Sequence, residues 1–145
     1  MRFMVLLKAD RNTKANALPS KALVAAMGKF NEEMVNAGVM LAGEGLQPSS
    51  KGARVKFSGE KRAVIDGPFT EVNQLIAGFW LIQVKSKAEA IEWVKRCPNP
   101  LGGEAEIEIR QVFEASDFPP EILPPEDAAR EQALREELQR KAAER

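Results

Sequence analysis

The residues here that could act on a small molecule are carboxylates with one guanidinium near them. Asp66 opens the stretch "DGPF", Glu44 stands between Gly43 and Gly45 in "GEGLQP", and Glu106, Glu108 and Arg110 alternate along "EIEIRQV". Asp66 or Glu44 could take a proton if burial raised its pKa towards neutrality. Arg110 could hold a carboxylate or an oxyanion with its two-pronged fork. Each has a plainer reading. Asp-Gly-Pro is turn chemistry without help from function. Glu44 sits in a glycine-rich stretch, and Glu106, Glu108 and Arg110 fit a solvated strand face whose charges pair with one another. "GEG" is too short for a phosphate loop.

Composition narrows the chemistry further. The 145 residues contain no His and no Tyr, and one Cys, Cys97. His is the usual general base near neutral pH and the commonest metal ligand, so Ser-His and Cys-His nucleophiles are excluded. A zinc site would lack its ordinary donors, and no cofactor loop is evident. Cys97 precedes Pro98 at a helix end, where the dipole favours the thiol over the thiolate. Lys plus Arg, 21, balance Asp plus Glu, 21. That argues against nucleic acid, whose binding rests on a basic surface. A local cluster remains in Lys51, Arg54, Lys56, Lys61 and Arg62, either a solvated face or a surface for an anionic partner. The longest apolar run near Met1 is too short for a membrane span or a leader core. With no disulfide framework, a soluble cytoplasmic protein is expected.

The elements that must position these residues follow from periodicity. "RFMVLLK" (2–8) is a strand with Phe3, Val5 and Leu7 on one face and Met4 and Leu6 on the other. A polar loop follows at 9–17. A helix over 18–38 has Ser20 as N-cap, or Pro19 as first residue, and Gly38 beyond its end. Its stripe is Leu23, Met27, Phe30 and Met34. Residues 39–52 open as a short strand and become a loop; "ARVKF" and "RAVID" form a hairpin turning at Ser58-Gly59. "LIAGFWLIQVK" (75–85) is a strand apolar on both faces. Residues 86–97 form a helix with a Ser86–Glu89 capping box and an inner stripe of Ala90, Ile91 and Val94. Residues 103–114 are a strand with Ile107, Ile109 and Gln111 opposite Glu106, Glu108 and Arg110. Trp80 and Trp93 read as core or interface. A Pro-rich linker at 118–127 leads to a final helix, 126–144, acidic at its start and basic at its end, with Leu134 and Leu138 on a thin apolar stripe.

This order predicts an α+β, ferredoxin-like antiparallel sheet with two helices on one face, and a C-terminal helical extension. Two strands are apolar front and back. A single copy would then expose a patch on the order of several hundred Å², the scale that marks interfaces. The simplest cover is a second copy, sheet against sheet, giving a homodimer with a cavity between the subunits. At ~25 cal/mol per Å², that burial is worth on the order of 10 kcal/mol per subunit before association costs.

"AGVMLAGEGLQPS", "VIDGPFTE", "IAGFWLIQVKSKAEAIEWVKRCPNP" and "EIEIRQVFEASDF" together resemble the YCII-related proteins, and within them the DGPF-domain group. The likeness spans residues 1–118, leaving 119–145 as linker and helix. It implies a dimeric α+β barrel of bacterial type without a settled activity, and a cleft near Glu44, Gln47, Asp66, Gly67, Pro68, Phe69, Glu108 and Arg110. Enzyme-like members of the wider superfamily are held to use a His-Asp dyad, which this chain cannot build. Asn73-Gln74 replace a Lys-Glu pair, and Gln47 and Leu101 stand where many relatives carry His. The expectation is a small-molecule-binding or interaction module that binds a small anionic ligand. The alternative is a lyase- or isomerase-type enzyme on a small organic acid, with Asp66 or Glu44 as base and Arg110 as oxyanion partner.

Overall fold

The computed structural model describes residues 1–8, 19–71, 75–99 and 105–144. The expected loop at 9–17, the Asn73-Gln74 pair and Leu101 lie outside the described residues. The elements run β1 (Arg2–Lys8), α1 (Lys21–Asn36), β2 (Met40–Gly45), a 3-10 turn (Ser49–Lys51), β3 (Ala53–Ser58), β4 (Lys61–Asp66), β5 (Ile76–Gln83), α2 (Lys87–Lys95), β6 (Ile107–Gln111), a second 3-10 turn (Ala115–Asp117) and α3 (Pro125–Ala143). Contacts divide the chain into two units, Met1–Val112 and Phe113–Arg145.

In the first unit, β2, β5, β1 and β6 make one antiparallel sheet in that order, and β3 and β4 make a separate two-stranded ribbon. With the ribbon set aside, this is the ferredoxin-like βαββαβ order expected from the pattern. The core explains why the helices lie where they do. Phe3 and Val5 of β1 and Trp80, Ile82 and Val84 of the β5 segment are buried with Phe30 and Met34 of α1 and Ala90 of α2. Trp93 and Val94 pack onto this cluster from α2. The Trp80 ring meets Phe30 edge to face at 5.7 Å, and its indole N–H donates to Asn31 Oδ1 at 2.8 Å. A Cβ on Gly43 would lie 2.6 Å from both Met40 Cε and Trp80 Cδ1, so glycine there lets the indole lie over β2.

Both helix starts have the N-cap expected from the sequence, although the carboxylate of the expected Ser86–Glu89 capping box goes to Lys85 N–H and not to Ser86 N–H. Ser20 Oγ accepts from Leu23 N–H at 3.1 Å, which settles the N-cap in favour of Ser20 over a Pro19 start. Ser86 Oγ accepts from Glu89 N–H at 3.1 Å, and the Glu89 carboxylate reaches back to Lys85 N–H at 2.8 Å. Gly38, at φ 71°, closes α1 in the left-handed conformation. Two further expectations need correction. The hairpin pairs Ser58 with Lys61, so its turn residues are Gly59, at φ 60°, and Glu60, one step later than read. And "LAGEG" is strand through Gly45, with Glu44 paired opposite Phe79.

The second unit starts with Phe113 and Phe118, whose rings stack at 4.8 Å. They flank a turn closed by Glu114 N–H donating to Asp117 Oδ2 at 2.7 Å. Pro124 and Pro125 start α3, which has no side-chain cap and no buried residue.

Candidate functional site

Pairing register fixes what the sheet carries on the face opposite α1 and α2. Directly opposed residues of antiparallel strands share a face. One row across the sheet is therefore Glu44, Phe79, Leu6 and Glu108; the next is Ala42, Leu81, Met4 and Arg110. The middles of both rows are apolar, and Met4, Leu6, Phe79 and Leu81 are half-buried within the single subunit. The ends are charged. Glu44 lies on one edge strand and Glu108 with Arg110 on the other, about 14 Å apart at ~4.8 Å per strand spacing.

At the β6 end three charges meet. Glu108 lies 3.3 Å from Arg110 and 3.4 Å from Lys8. Its carboxyl is held below the usual carboxylate range, first by the Arg110 hydrogen bond and then by Lys8. Two cations share the Glu108 carboxylate, and Glu106, next to Lys8 through its carbonyl, adds a second carboxylate to this strand end. The Arg110 side chain is 72% exposed and free to receive another anion.

The remaining candidates gather elsewhere, where the loop after β2 meets the turn after β4. Asp66 is the last residue of β4, exposed and paired with Ala53. The bend is fixed by its neighbours. Gly67 N–H donates to Gly52 O at 3.0 Å, and Phe69 N–H donates to Ser49 Oγ at 3.0 Å. A Cβ on Gly67 would run into the Ser49 carbonyl, so only glycine fits. The Gly67–Pro68 peptide is cis. Arg54 stacks on the Phe69 ring at 3.9 Å and pairs with Glu71 at 3.1 Å. The Glu71 carboxyl is lowered by a hydrogen bond from its own backbone amide and then by Arg54. Gln47 is exposed in the loop that supplies Ser49.

Glu44, Glu108 and Arg110 thus share one sheet face. Gln47 and residues 66–69 belong to the turn junction. Ser49, Arg54, Glu71 and Lys8 complete these two clusters and escape a reading of sequence spacing, because their partners are distant in the chain. Arg54 was read only as part of the basic hairpin cluster, and Glu71 stands two residues after Phe69 in "DGPFTE".

Between the helices and the sheet lies an apolar crevice of about 10 Å³, lined by Phe30, Met34, Trp93 and Cys97 among others. It has room for no more than one water. Burial there pushes the Cys97 thiol up to about 11. The shift comes from desolvation, which disfavours the thiolate, and not from the helix end. Among the described residues no three His, Cys, Asp or Glu gather to hold a metal ion, and no helix is long and apolar enough to cross a membrane.

A family model of the YCII-related domain matches residues 1–116. The chain belongs to the YCII-related family. The match takes in every strand of both sheets, both core helices and the two charged clusters, and stops before α3. A similar protein of Rhizobium meliloti (strain 1021), described as uncharacterised, is 29% identical over 76 residues, covering 51% of this chain and 61% of that protein. The chain therefore matches less than two thirds of that relative's length. What this YCII-related domain offers chemically is charge at the edges of an apolar sheet face, and an exposed Asp66 at the end of β4.

Proposed function

We propose that this YCII-related protein is a homodimeric binding module that takes a small organic anion in a cleft between two helix-free sheet faces. The observation that carries the reading is the pair of rows, Glu44–Phe79–Leu6–Glu108 and Ala42–Leu81–Met4–Arg110. Each is apolar in the middle and charged at the ends. A second copy laid over the middle removes Phe79, Leu81, Met4 and Leu6 from water, where they contribute most. The charged ends then border the cleft, and the exposed Arg110 guanidinium is the group offered to a carboxylate guest.

Turnover does not belong to this reading. Proton abstraction by a carboxylate requires a base withdrawn from water, and in the single subunit both Asp66 and Glu44 are exposed. The DGPF-type turn is then a structural hinge between ribbon and sheet.

Sedimentation of the wild-type chain and of Leu81→Lys tests the assembly, and thermal shift with small mono- and dicarboxylates tests the pocket. The expected result at low micromolar protein is a wild-type dimer, a Leu81→Lys monomer of unchanged far-UV spectrum, and a rise in Tm of about 5–10 °C near 100-fold saturation. The rise should vanish in Arg110→Ala while that variant stays dimeric. A compact wild-type monomer at micromolar concentration would overturn the cleft. An Arg110→Ala protein that keeps the full shift would overturn the ligand assignment.

A further inference from the structure

α3 lies outside the family match, and no residue on it is buried. It displays two large apolar side chains, Leu134 at 59% and Leu138 at 70% exposure. They are not isolated. Asp127, Glu131, Leu134, Leu138 and Lys141 recur at alternating four- and three-residue steps, the spacing of a coiled-coil seam. Along that seam the apolar pair is central, the acids lie towards the N-terminus and the lysine lies towards the C-terminus.

We propose that α3 pairs antiparallel with α3 of a second copy, about a two-fold axis level with Glu136 and passing between Leu134 and Leu138. Each Leu134 then meets Leu138 of the second copy, closing a cluster of four leucines. The same register sets each Glu131 against Lys141 of the second copy, so one axis satisfies the apolar and the charged positions together. Orientation follows from charge. A parallel pair would put Glu131 beside Glu131 and Lys141 beside Lys141, like charges at both ends of a short seam.

Nothing within the helix opposes the exchange. Lys141 lies 3.2 Å from Glu137 of its own chain, but Arg140 also reaches Glu137, at 3.7 Å. Glu137 therefore keeps a cation when Lys141 turns across the seam. Glu131 has no ion pair among the described residues. Two leucines per helix make a short seam, so the pairing depends on concentration and adds to whatever the first unit does.

The test is sedimentation equilibrium of full-length protein in the Leu81→Lys background, which isolates association by α3 from association through the sheet. A monomer–dimer equilibrium is expected there at high micromolar protein and low salt. Glu131→Lys and Lys141→Glu should each weaken it by about tenfold or more, and the double exchange should restore it. Leu134→Asn with Leu138→Asn should abolish it; helix content by far-UV circular dichroism keeps a loss of pairing separate from a loss of helix. No association in this background, single reversals without effect, or a double exchange as weak as the singles would each overturn the pairing. Leu81→Lys protein whose association is unchanged by the leucine replacements would overturn the α3 pairing; failure of the sheet-face reading shows separately, as a tight Leu81→Lys dimer at low micromolar protein that the Glu131 and Lys141 reversals do not weaken.

Discussion

At the scale of single residues, the turn after β4 shows a sequence motif acting through backbone contact. Gly67 sits against the Ser49 carbonyl, with its amide on Gly52 O, while Phe69 N–H is held by Ser49 Oγ. Gly67→Ala forces the 49–52 loop outward, and overpacking of this kind costs about 1–3 kcal/mol. Urea unfolding should show that loss; an unchanged midpoint would mean the loop yields freely. Glu108 supports a second prediction at this scale. Its carboxyl lies below its ordinary value of 4.5 in the folded chain, chiefly through Arg110 and then Lys8. A depressed folded pKa stabilises the fold above the unfolded value, and the contribution is lost as pH falls through the folded value. Glu71 behaves alike through its own amide and Arg54. Stability should therefore drop as pH falls from 4.5 downward. The Glu108→Gln, Glu71→Gln double variant should show a shallower drop over the same window, as read by thermal unfolding across pH. Above that window the variant should be the less stable of the two proteins.

Elements respond according to where their side chains go. Met34 is 2% exposed in the centre of the core, whereas Ser86 acts at a helix start with its Oγ on Glu89 N–H. Met34→Ala should cost about 2–5 kcal/mol through a cavity, and Ser86→Ala about 1 kcal/mol through a lost cap. Denaturant titration that ranks them in the opposite order would contradict this account of what holds the helices. The same contrast explains which elements could be read from the chain. β1, α1 and α2 announce themselves because periodicity and caps are local. The charged faces of β6 were also legible, since alternation alone sorts Glu108 and Arg110 from Ile107 and Ile109. β2 was not legible in full: Gly43 and Gly45 weaken any local strand signal, and it is pairing with β5 that makes the stretch a strand, the overlying Trp80 indole giving Gly43 its reason. The hairpin turn slipped by one residue because Ser58-Gly59 and Gly59-Glu60 both place Gly59 in the turn. The Arg54–Phe69–Glu71 contact and Lys8 beside Glu108 join residues far apart in sequence, so no spacing rule reaches them.

For the whole molecule, stability and charge are distributed unequally between the two units. Among the described residues, every buried apolar residue lies between Phe3 and Ala90, inside Met1–Val112. That unit has sixteen Lys and Arg against twelve Asp and Glu, while residues 113–145 have five against nine. The chain is thus neutral as a sum of a basic domain and an acidic extension, and a chain ending at Val112 has a net charge of +4. Such a truncation keeps both sheets, both core helices and the Val112 N–H bond to Arg2 O, at 2.9 Å. Its urea midpoint should therefore match that of the full-length chain, because apolar burial is the dominant favourable term in folding. Its isoelectric point should rise above neutrality, and its affinity for small carboxylates should be the same or higher, since like-signed acidic charge has been removed. Association through the sheet face should survive the truncation, while the part of self-association sensitive to Glu131 and Lys141 should disappear. Measured together by denaturation, electrophoresis and sedimentation, these outcomes separate a domain that folds on its own core from one that needs its extension: a truncated chain that unfolds at clearly lower urea would show that residues 113–145 hold the fold as well as a partner.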